Sequence, residues 1–306
     1  MSSVAILLCT FNGARFLPTQ LSSFVNQSFT NWRLFVSDDG STDETLEIVS
    51  QHRERLGTEP VAIRSGPREG HVRNFLNLAC DSSITCDYFA YSDQDDIWEP
   101  DKLSRAIEWL QMVGPDLPAM YCSRTLLIDE HDRPCGFSPL FRRKPNFRNA
   151  LVQSIAGGNT MVFNNAARLL LAHCGSDVNV PLHDWWTYLL VTGAGGEVRY
   201  DPLPTIRYRS HLHNVVGANV GWRSRIHRLQ MLKAGDFERW SALNIAALER
   251  FRSHMTPENR SLFDLFCESR KRGFFGRQLG FLQAGVYRQT LLGNIGLAVA
   301  VWTKRI

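Results

Sequence analysis

An α/β fold is what the sequence predicts: a mostly parallel central sheet flanked by helices, with a helical C-terminal extension. Over the first hundred residues, apolar runs of strand length alternate with segments of helical period, the pattern of a parallel sheet buried on both faces. Beyond residue 222 the pattern is helical and the charge balance changes sign. Residues 1–221 carry 19 basic and 24 acidic side chains, whereas residues 222–306 carry 15 and 6. Two regions are therefore expected, 1–221 and 222–306.

The elements follow in order. "VAILLCT" is a continuous apolar run that reads as a first strand, and "FLPTQLSSFVNQ" as a helix with Pro18 near its start. "WRLFVSDDG" is a second strand ending in turn chemistry. Ser41 and Glu44 have the spacing of a capping box for the next helix, "DETLEIVSQHRERL". "VAIRSG" is a short third strand, "HVRNFLNLAC" a helix, and "DYFAYSD" a fourth strand. "EPDKLSRAIEWLQMV" is a helix with Pro100 expected in its first turn. The middle is less regular: "AMYCSRTLLID" reads as a strand or hairpin arm, and "FRRKPNFRN" as a polar loop with a basic cluster. "AGGNTMVFN" is Gly-rich and then strand-like, and "AARLLLAHC" is helical. "HDWWTYLLVTGAG" is a helix closed by Gly193, and "IRYRSHLHNVVGAN" is extended. In the tail, Thr256-Pro257 suits a helix start, with Thr as N-cap and Pro at the first position.

Composition narrows the class. With 306 residues, 44% of them hydrophobic, the chain can bury a substantial core. Seven scattered cysteines without a close C-x-x-C pair argue against a disulfide framework or zinc cluster and for a reducing compartment. The N-terminal apolar run lacks a basic leader and reads as a buried strand rather than a signal peptide. No apolar run reaches the roughly 20 residues a spanning helix needs. "LLGNIGLAVAVW" comes nearest and is followed by Lys304 and Arg305. Two readings of the basic tail stand: contact with an anionic membrane face, or a solvated helical face rich in arginine.

Three polar clusters sit at strand ends: Thr10-Phe11-Asn12-Gly13, Ser37-Asp38-Asp39-Gly40 and Ser92-Asp93-Gln94-Asp95-Asp96. In open parallel sheets ligands bind outside the carboxyl ends of the strands, so parallel strands bring all three to one rim. An acidic rim suits Mg²⁺ or Mn²⁺, which take carboxylate oxygens and complete their shell with water and phosphate. Asp93 and Asp95 alternate, so they share one direction and Asp96 takes another. An EF-hand is excluded: counted from Asp93, its fifth, sixth and twelfth positions hold Ile97, Trp98 and Ser104, and counted from Asp39 they hold Asp43, Glu44 and Ser50. No G-x-G-x-x-G follows the first strand, and neither a P-loop nor a G-x-S-x-G elbow occurs. Asp38 and Asp39 also have a plain reading as turn and cap residues.

Taken together, "CTFNG", "VSDDGSTDET", "EGHVRNF", "YSDQDDIWEPDKL", "GGNTMVFN", "HDWW" and "YRSHLHNVVG" resemble, in order, the motifs of family 2 inverting glycosyltransferases with the Rossmann-like GT-A fold. Within that family the series is most similar to bacterial rhamnosyltransferase-like enzymes of polysaccharide assembly. The resemblance spans residues 4–221. It implies that Thr10, Asn12, Asp39, Arg73 and Asn74 bind the nucleotide. It places Asp93 at the ribose, Asp95 on the metal and Asp184 as general base. His211 is implied at the metal or diphosphate, with Arg209 nearby. Leu212 and His213 depart from the subgroup's usual residues, which leaves open which histidine faces the site. The implied cofactor is Mg²⁺ or Mn²⁺, and the implied donor a dTDP- or UDP-sugar, L-rhamnose among the candidates. The implied acceptor is a glycan or lipid-linked glycan, handled in the cytoplasm or at the inner face of the cell membrane, with no nucleic-acid partner.

The residues have a physical case of their own. Asp184 lies between His183 and Trp185-Trp186, where partial desolvation would raise its pKa toward that of a useful base. Trp185 could stack on a sugar face or belong to the core. Gly157 and Gly158 allow close backbone approach, and Asn159 can donate to and accept from sugar hydroxyls, so Gly158 and Asn159 are expected in the acceptor pocket. Asp96 either faces the acceptor or caps the helix near Pro100. Two other functions fit carboxylates on this fold: nucleotidyl transfer, and sugar binding without catalysis.

Overall fold

A computed structural model describes residues 2–57, 60–209 and 236–306. The sequence expectation for the N-terminal half holds: β1 (Val4–Thr10), β2 (Trp32–Asp38), β3 (Val61–Ser65) and β4 (Tyr88–Ser92) are all parallel. Every residue of β1 is buried, because the strand is central and covered on both faces. Val4, Ile6 and Leu8 face one apolar cluster, and Ala5, Leu7 and Cys9 the other. That alternation explains why the sequence shows a continuous apolar run and no period of two.

The intervening helices are α1 (Leu17–Val25), α2 (Thr45–Leu56) and α3 (His71–Cys80). After β4 come the short β5 (Ile97–Trp98), α4 (Lys102–Val113), the long β6 (Ala119–Ile128) and β7 (Pro134–Phe137). Next are α5 (Phe147–Ala150), a 3₁₀ turn at Gly158–Thr160, β8 (Val162–Asn164), α6 (Asn165–Cys174), α7 (His183–Gly193) and β9 (Glu197–Arg209). The strand order is β3-β2-β1-β4-β8-β6-β9-β5, with β7 on β6. Antiparallel β8 lies between β4 and β6, and β9 returns parallel to β6. A register shift between Ser123 and Thr125 bends the β6–β9 pair, and its far half carries the small strands β5 and β7. The segment Asp93–Asp96 therefore crosses from the centre of the sheet to this far half.

Two local expectations change. Ser41 and Glu44 form no capping box: the Ser41 hydroxyl donates to Asp38 Oδ2 at 2.6 Å, and Asp43 Oδ1 instead accepts the Thr45 N–H at 3.1 Å. Pro100 precedes α4, which begins at Lys102, and so lies outside its first turn.

The tail forms α8 (Asp236–Phe251), α9 (Pro257–Lys271), α10 (Phe274–Ala284) and α11 (Leu291–Trp302). Thr256 caps α9 as its sequence suggests, its hydroxyl oxygen accepting the Asn259 N–H at 3.2 Å. Asn259 in turn donates to the Thr192 and Gly193 carbonyls at the end of α7. Phe251, Phe263, Phe266 and Phe281 join the same core as Trp186 and Leu189. Each such ring contributes on the order of 1.5–3 kcal/mol by leaving water, so these helices share the core of the sheet domain. Among the described residues no helix is long and apolar enough to cross a membrane, and all seven cysteines are free thiols.

Candidate active site

The three polar clusters share one rim because the strands are in register. Thr10 pairs with Asp38, Asp38 with Ser65, and Leu8 with Ser92. Two turns build the first half of the rim. Asp38 is buried and accepts from Thr10 Oγ1 at 2.7 Å, Ser41 Oγ at 2.6 Å, Ser41 N at 2.8 Å and Gly40 N at 3.1 Å. Burial would raise its pKa, but these four donors outweigh burial and hold it below the ordinary value. Asp39 accepts the backbone N–H groups of Arg68 at 2.7 Å and Gly70 at 2.8 Å, which fixes the loop after β3. Asn12 adopts a left-handed conformation, φ 47°, that short polar side chains tolerate. Its N–H donates to Ser41 Oγ at 2.9 Å and its Oδ1 accepts the Thr42 N–H at 2.8 Å, tying one turn to the other. A cavity of about 260 Å³ opens beside this half, lined by Asp38, Gly40, Ser41, Leu46, Ile63 and Arg68 among others.

The acidic segment is clamped onto the first turn by a residue the sequence reading passed over. Gln94 Nε2 donates to the Phe11 carbonyl and Gln94 Oε1 accepts the Phe11 N–H, both at 2.9 Å. A Cβ at Gly13 would lie 2.2 Å from Gln94 Oε1, so a larger residue there would have to push the Gln94 side chain out of its clamp. Beneath the clamp Asp96 is fully buried; it accepts from Asn159 Nδ2 at 2.5 Å and Arg209 N at 3.1 Å. Lys102, also fully buried, donates to the Asn159 carbonyl at 2.6 Å and lies 4.2 Å from the Trp98 ring centre. Burial drives both groups toward neutrality. It pushes Asp96 well up, reinforced by Asp95 and Asp93, and it brings Lys102 down to about 7 against the pull of Asp96 and Asp93.

Asp93 and Asp184 complete the electrostatics. Asp93 is pushed up to about 7, first by burial, then by the negative charges of Asp95 and Asp184, with Lys102 opposing. Asp184 stands in the first turn of α7 and accepts the Trp185 N–H at 2.5 Å and the Gly158 N–H at 3.1 Å. Desolvation raises it to about 6 despite those donors. A group deprotonated near neutrality, beside further carboxylates, can take a proton from a hydroxyl. His183, next to it, is stacked on Phe75 with ring centres 4.1 Å apart and meets Tyr91 edge-on at 4.9 Å. Neither of its ring nitrogens has a hydrogen-bond partner among the described residues.

Several residues expected at ligands have partners within the protein. Trp185 is buried, with its Nε1 donating to the Ala150 carbonyl at 2.7 Å, so it has no free face for a sugar. Asn159 donates its amide to Asp96, and Asp96 also accepts from Arg209 N, so both buried side chains are engaged inside the protein. Gly158 is likewise buried, and its N–H serves Asp184. Asn74 is buried, accepting from Ser37 Oγ at 2.6 Å and donating to the Ser37 carbonyl, which makes it a brace for β2. Arg73 is engaged by Glu69 and by the Ser176 carbonyl. Arg209 is 2% exposed; it donates to the Asp95 carbonyl at 2.9 Å, pairs with Asp132 and covers the Phe16 ring at 4.4 Å. It thus positions the acidic segment from behind. His211 and His213 lie outside the described residues. Among the described residues no group of three or more His, Cys, Asp or Glu side chains is gathered to hold a metal.

A mostly parallel α/β sheet whose strand ends carry this acidic rim, extended by a bent second half, is the GT-A architecture of nucleotide-sugar transferases. The solved structures agree. TarS of S. aureus, residues 1–349 in complex with UDP-GlcNAc, superposes with a TM-score of 0.56 at 15% identity, over 98% of this chain and 81% of that one. A mannosyltransferase from Pyrobaculum calidifontis in complex with GDP-Man and Mn²⁺ gives 0.54 at 18% identity, over 99% and 87%. Along the sequence, the dTDP-rhamnosyl transferase RfbG of Shigella flexneri is 26% identical over 97% of this chain and 94% of its own length. Residues 5–168 match the family model described as Glycosyl transferase family 2. The chain belongs to glycosyl transferase family 2, which sets nucleotidyl transfer and sugar binding without catalysis aside.

Proposed function

We propose that this glycosyltransferase is inverting and divalent-cation-dependent. It moves a sugar, L-rhamnose carried on dTDP, to a hydroxyl of a glycan or lipid-linked glycan on the cytoplasmic side of the membrane. The observation that carries this reading is the placement of Asp184: it stands in the first turn of α7, its carboxylate held by the Gly158 and Trp185 N–H groups, and burial raises it to about 6, while its charge in turn helps to raise Asp93 of the acidic segment. The donor identity is supported by the full-length likeness to a protein named as a dTDP-rhamnosyl transferase. The free thiols fit a reducing compartment.

In this reading Asp39, Asn12 and the backbone at Thr10 hold the nucleotide. The Asp39 oxygens each accept one backbone N–H and retain lone pairs for a base or ribose. The Thr10 hydroxyl is committed to Asp38 and serves to stiffen the turn. Asp93 takes the ribose, and Asp95 holds the cation with Asp93 beside it. The donor set fits Mg²⁺ or Mn²⁺: hard carboxylate oxygens whose mutual repulsion raises Asp93 and which a cation would relieve. When bound, that cation supplies Lewis-acid charge to the departing diphosphate. Asp184 accepts the proton of the acceptor hydroxyl. The hydroxyl oxygen bonds the anomeric carbon from the face opposite the diphosphate, and the bond to the diphosphate breaks with its electron pair, which inverts the centre.

The test is a panel of nucleotide sugars read by thermal shift and by nucleoside diphosphate release, with Mn²⁺ and with chelator. A ligand bound by the native state alone raises the melting temperature. The proposal expects the largest shift, and cation-dependent release, with dTDP-rhamnose. Release from another donor in its place would replace the sugar assignment, and release undiminished by chelator would remove the cation.

A further inference from the structure

The last two helices carry an apolar surface that the transfer reaction leaves unused. On α10, Phe275, Leu279 and Leu282 are exposed and follow at steps of four and three residues, so they form one stripe. On α11, Leu292, Ile295, Val299 and Trp302 do the same, with Leu291 beside them. Phe275 is 84% exposed, Leu282 77% and Leu291 79%. The two stripes are continuous: Phe274 meets the Trp302 ring edge-on at 6.5 Å and Phe275 at 5.1 Å. Isolated exposed apolar residues need no explanation, but a contiguous patch of this kind marks an interaction surface.

The charge around the patch indicates its partner. From residue 269 to 306 the chain has seven basic residues and no acidic one. Exposed Lys271 and Arg272, the latter paired with Glu268 at 3.3 Å, precede α10, and exposed Lys304 follows α11, so cations flank both sides of the Phe274–Trp302 contact. A second copy docking by the same face would set these cations against their own kind across a two-fold axis. An anionic bilayer complements both features, since acyl chains accept the apolar stripe and headgroups the cations. Trp302 and the two phenylalanines are the side chains expected at such a boundary.

We infer that α10 and α11 dock this protein onto an anionic phospholipid surface, lying in the interface without crossing it. At 12 residues, α11 is too short to span. The inference is independent of which sugar is transferred.

The test is cosedimentation of the full-length protein with vesicles of phosphatidylcholine, with and without phosphatidylglycerol. Three proteins are compared: the wild type, a Phe275→Ser/Leu282→Ser/Leu292→Ser variant and a Lys271→Ser/Arg272→Ser/Lys304→Ser variant. All the altered side chains are exposed, and circular dichroism checks that folding is retained. Binding is expected to require the anionic lipid and to weaken with salt. It should fall at least about tenfold in the apolar variant, and the charge variant should lose the preference for anionic lipid. Equal binding by wild type and apolar variant, or no binding of the wild type to anionic vesicles, overturns the inference. A concentration-dependent dimer, abolished by the apolar changes and formed without lipid binding, overturns it in favour of a second copy.

Discussion

Gly158 donates its N–H to Asp184 Oδ2 at 3.1 Å, and a Cβ on that same glycine would lie 2.4 Å from His183 Nε2. The glycine thus serves both neighbours, orienting the carboxylate of one and leaving space for the ring of the other. The His183 ring is stacked on Phe75 and meets Tyr91 edge-on, so moving it away would break both contacts. Gly158→Ala should therefore destabilise the fold by about 1–3 kcal/mol, as overpacking does, and lower kcat more than it changes donor affinity. Urea unfolding and steady-state kinetics measure both, and a wild-type kcat in a stable variant would show that the ring has room to move.

Lys102 and Asp96 are coupled through Asn159, which donates to one and accepts from the other. Lys102→Met leaves the buried Asn159 carbonyl without its donor; a loss of about 1–3 kcal/mol is expected. In a double-mutant cycle with Asp96→Asn the two losses should not add. Strict additivity would mean that the residues act separately.

Trp185 belongs to the core. Trp185→Phe removes the hydrogen bond to the Ala150 carbonyl and part of the packing, so stability should fall by about 1–3 kcal/mol while the KM for acceptor stays unchanged. A rise in acceptor KM without loss of stability would return the ring to the sugar site.

Gln94→Ala releases both hydrogen bonds to Phe11. The first turn and the acidic segment then lose their register, and donor affinity should weaken several-fold in a titration followed by tryptophan fluorescence. Gln94→Glu can replace only the bond accepted from the Phe11 N–H and should fall between.

The parallel half of the sheet was legible because each of its strands is an apolar run of strand length ending in turn residues. The short strands β5 and β7 were not, since two or four residues carry no period and their pairing with β9 and β6 is set by distant chain. The capping box failed because Asp38, buried and in need of donors, takes the Ser41 hydroxyl. The acidic segment and Asp184, on which the proposed function rests, stand out in the sequence by their order along the chain. Lys102 could not: in "EPDKL" it looks like a solvated helical charge, and lysine is rarely buried. Trp185, Asn159 and Arg209 were placed at ligands because sequence shows what a side chain can bond, whereas the fold decides which partner reaches it first.

Asp184 as the base that takes the acceptor proton is the central claim, and the pH dependence of transfer tests it most directly. A base must be ionised to act, and burial places this carboxyl at about 6. The rate should therefore be lost as pH falls through about 6 and hold above it. Asp184→Asn should keep donor affinity within about twofold while transfer falls by about 10²–10⁴, and the residual rate should lack the acidic limb. Wild-type transfer in Asp184→Asn, or an acidic limb that survives the substitution unchanged, would contradict the account.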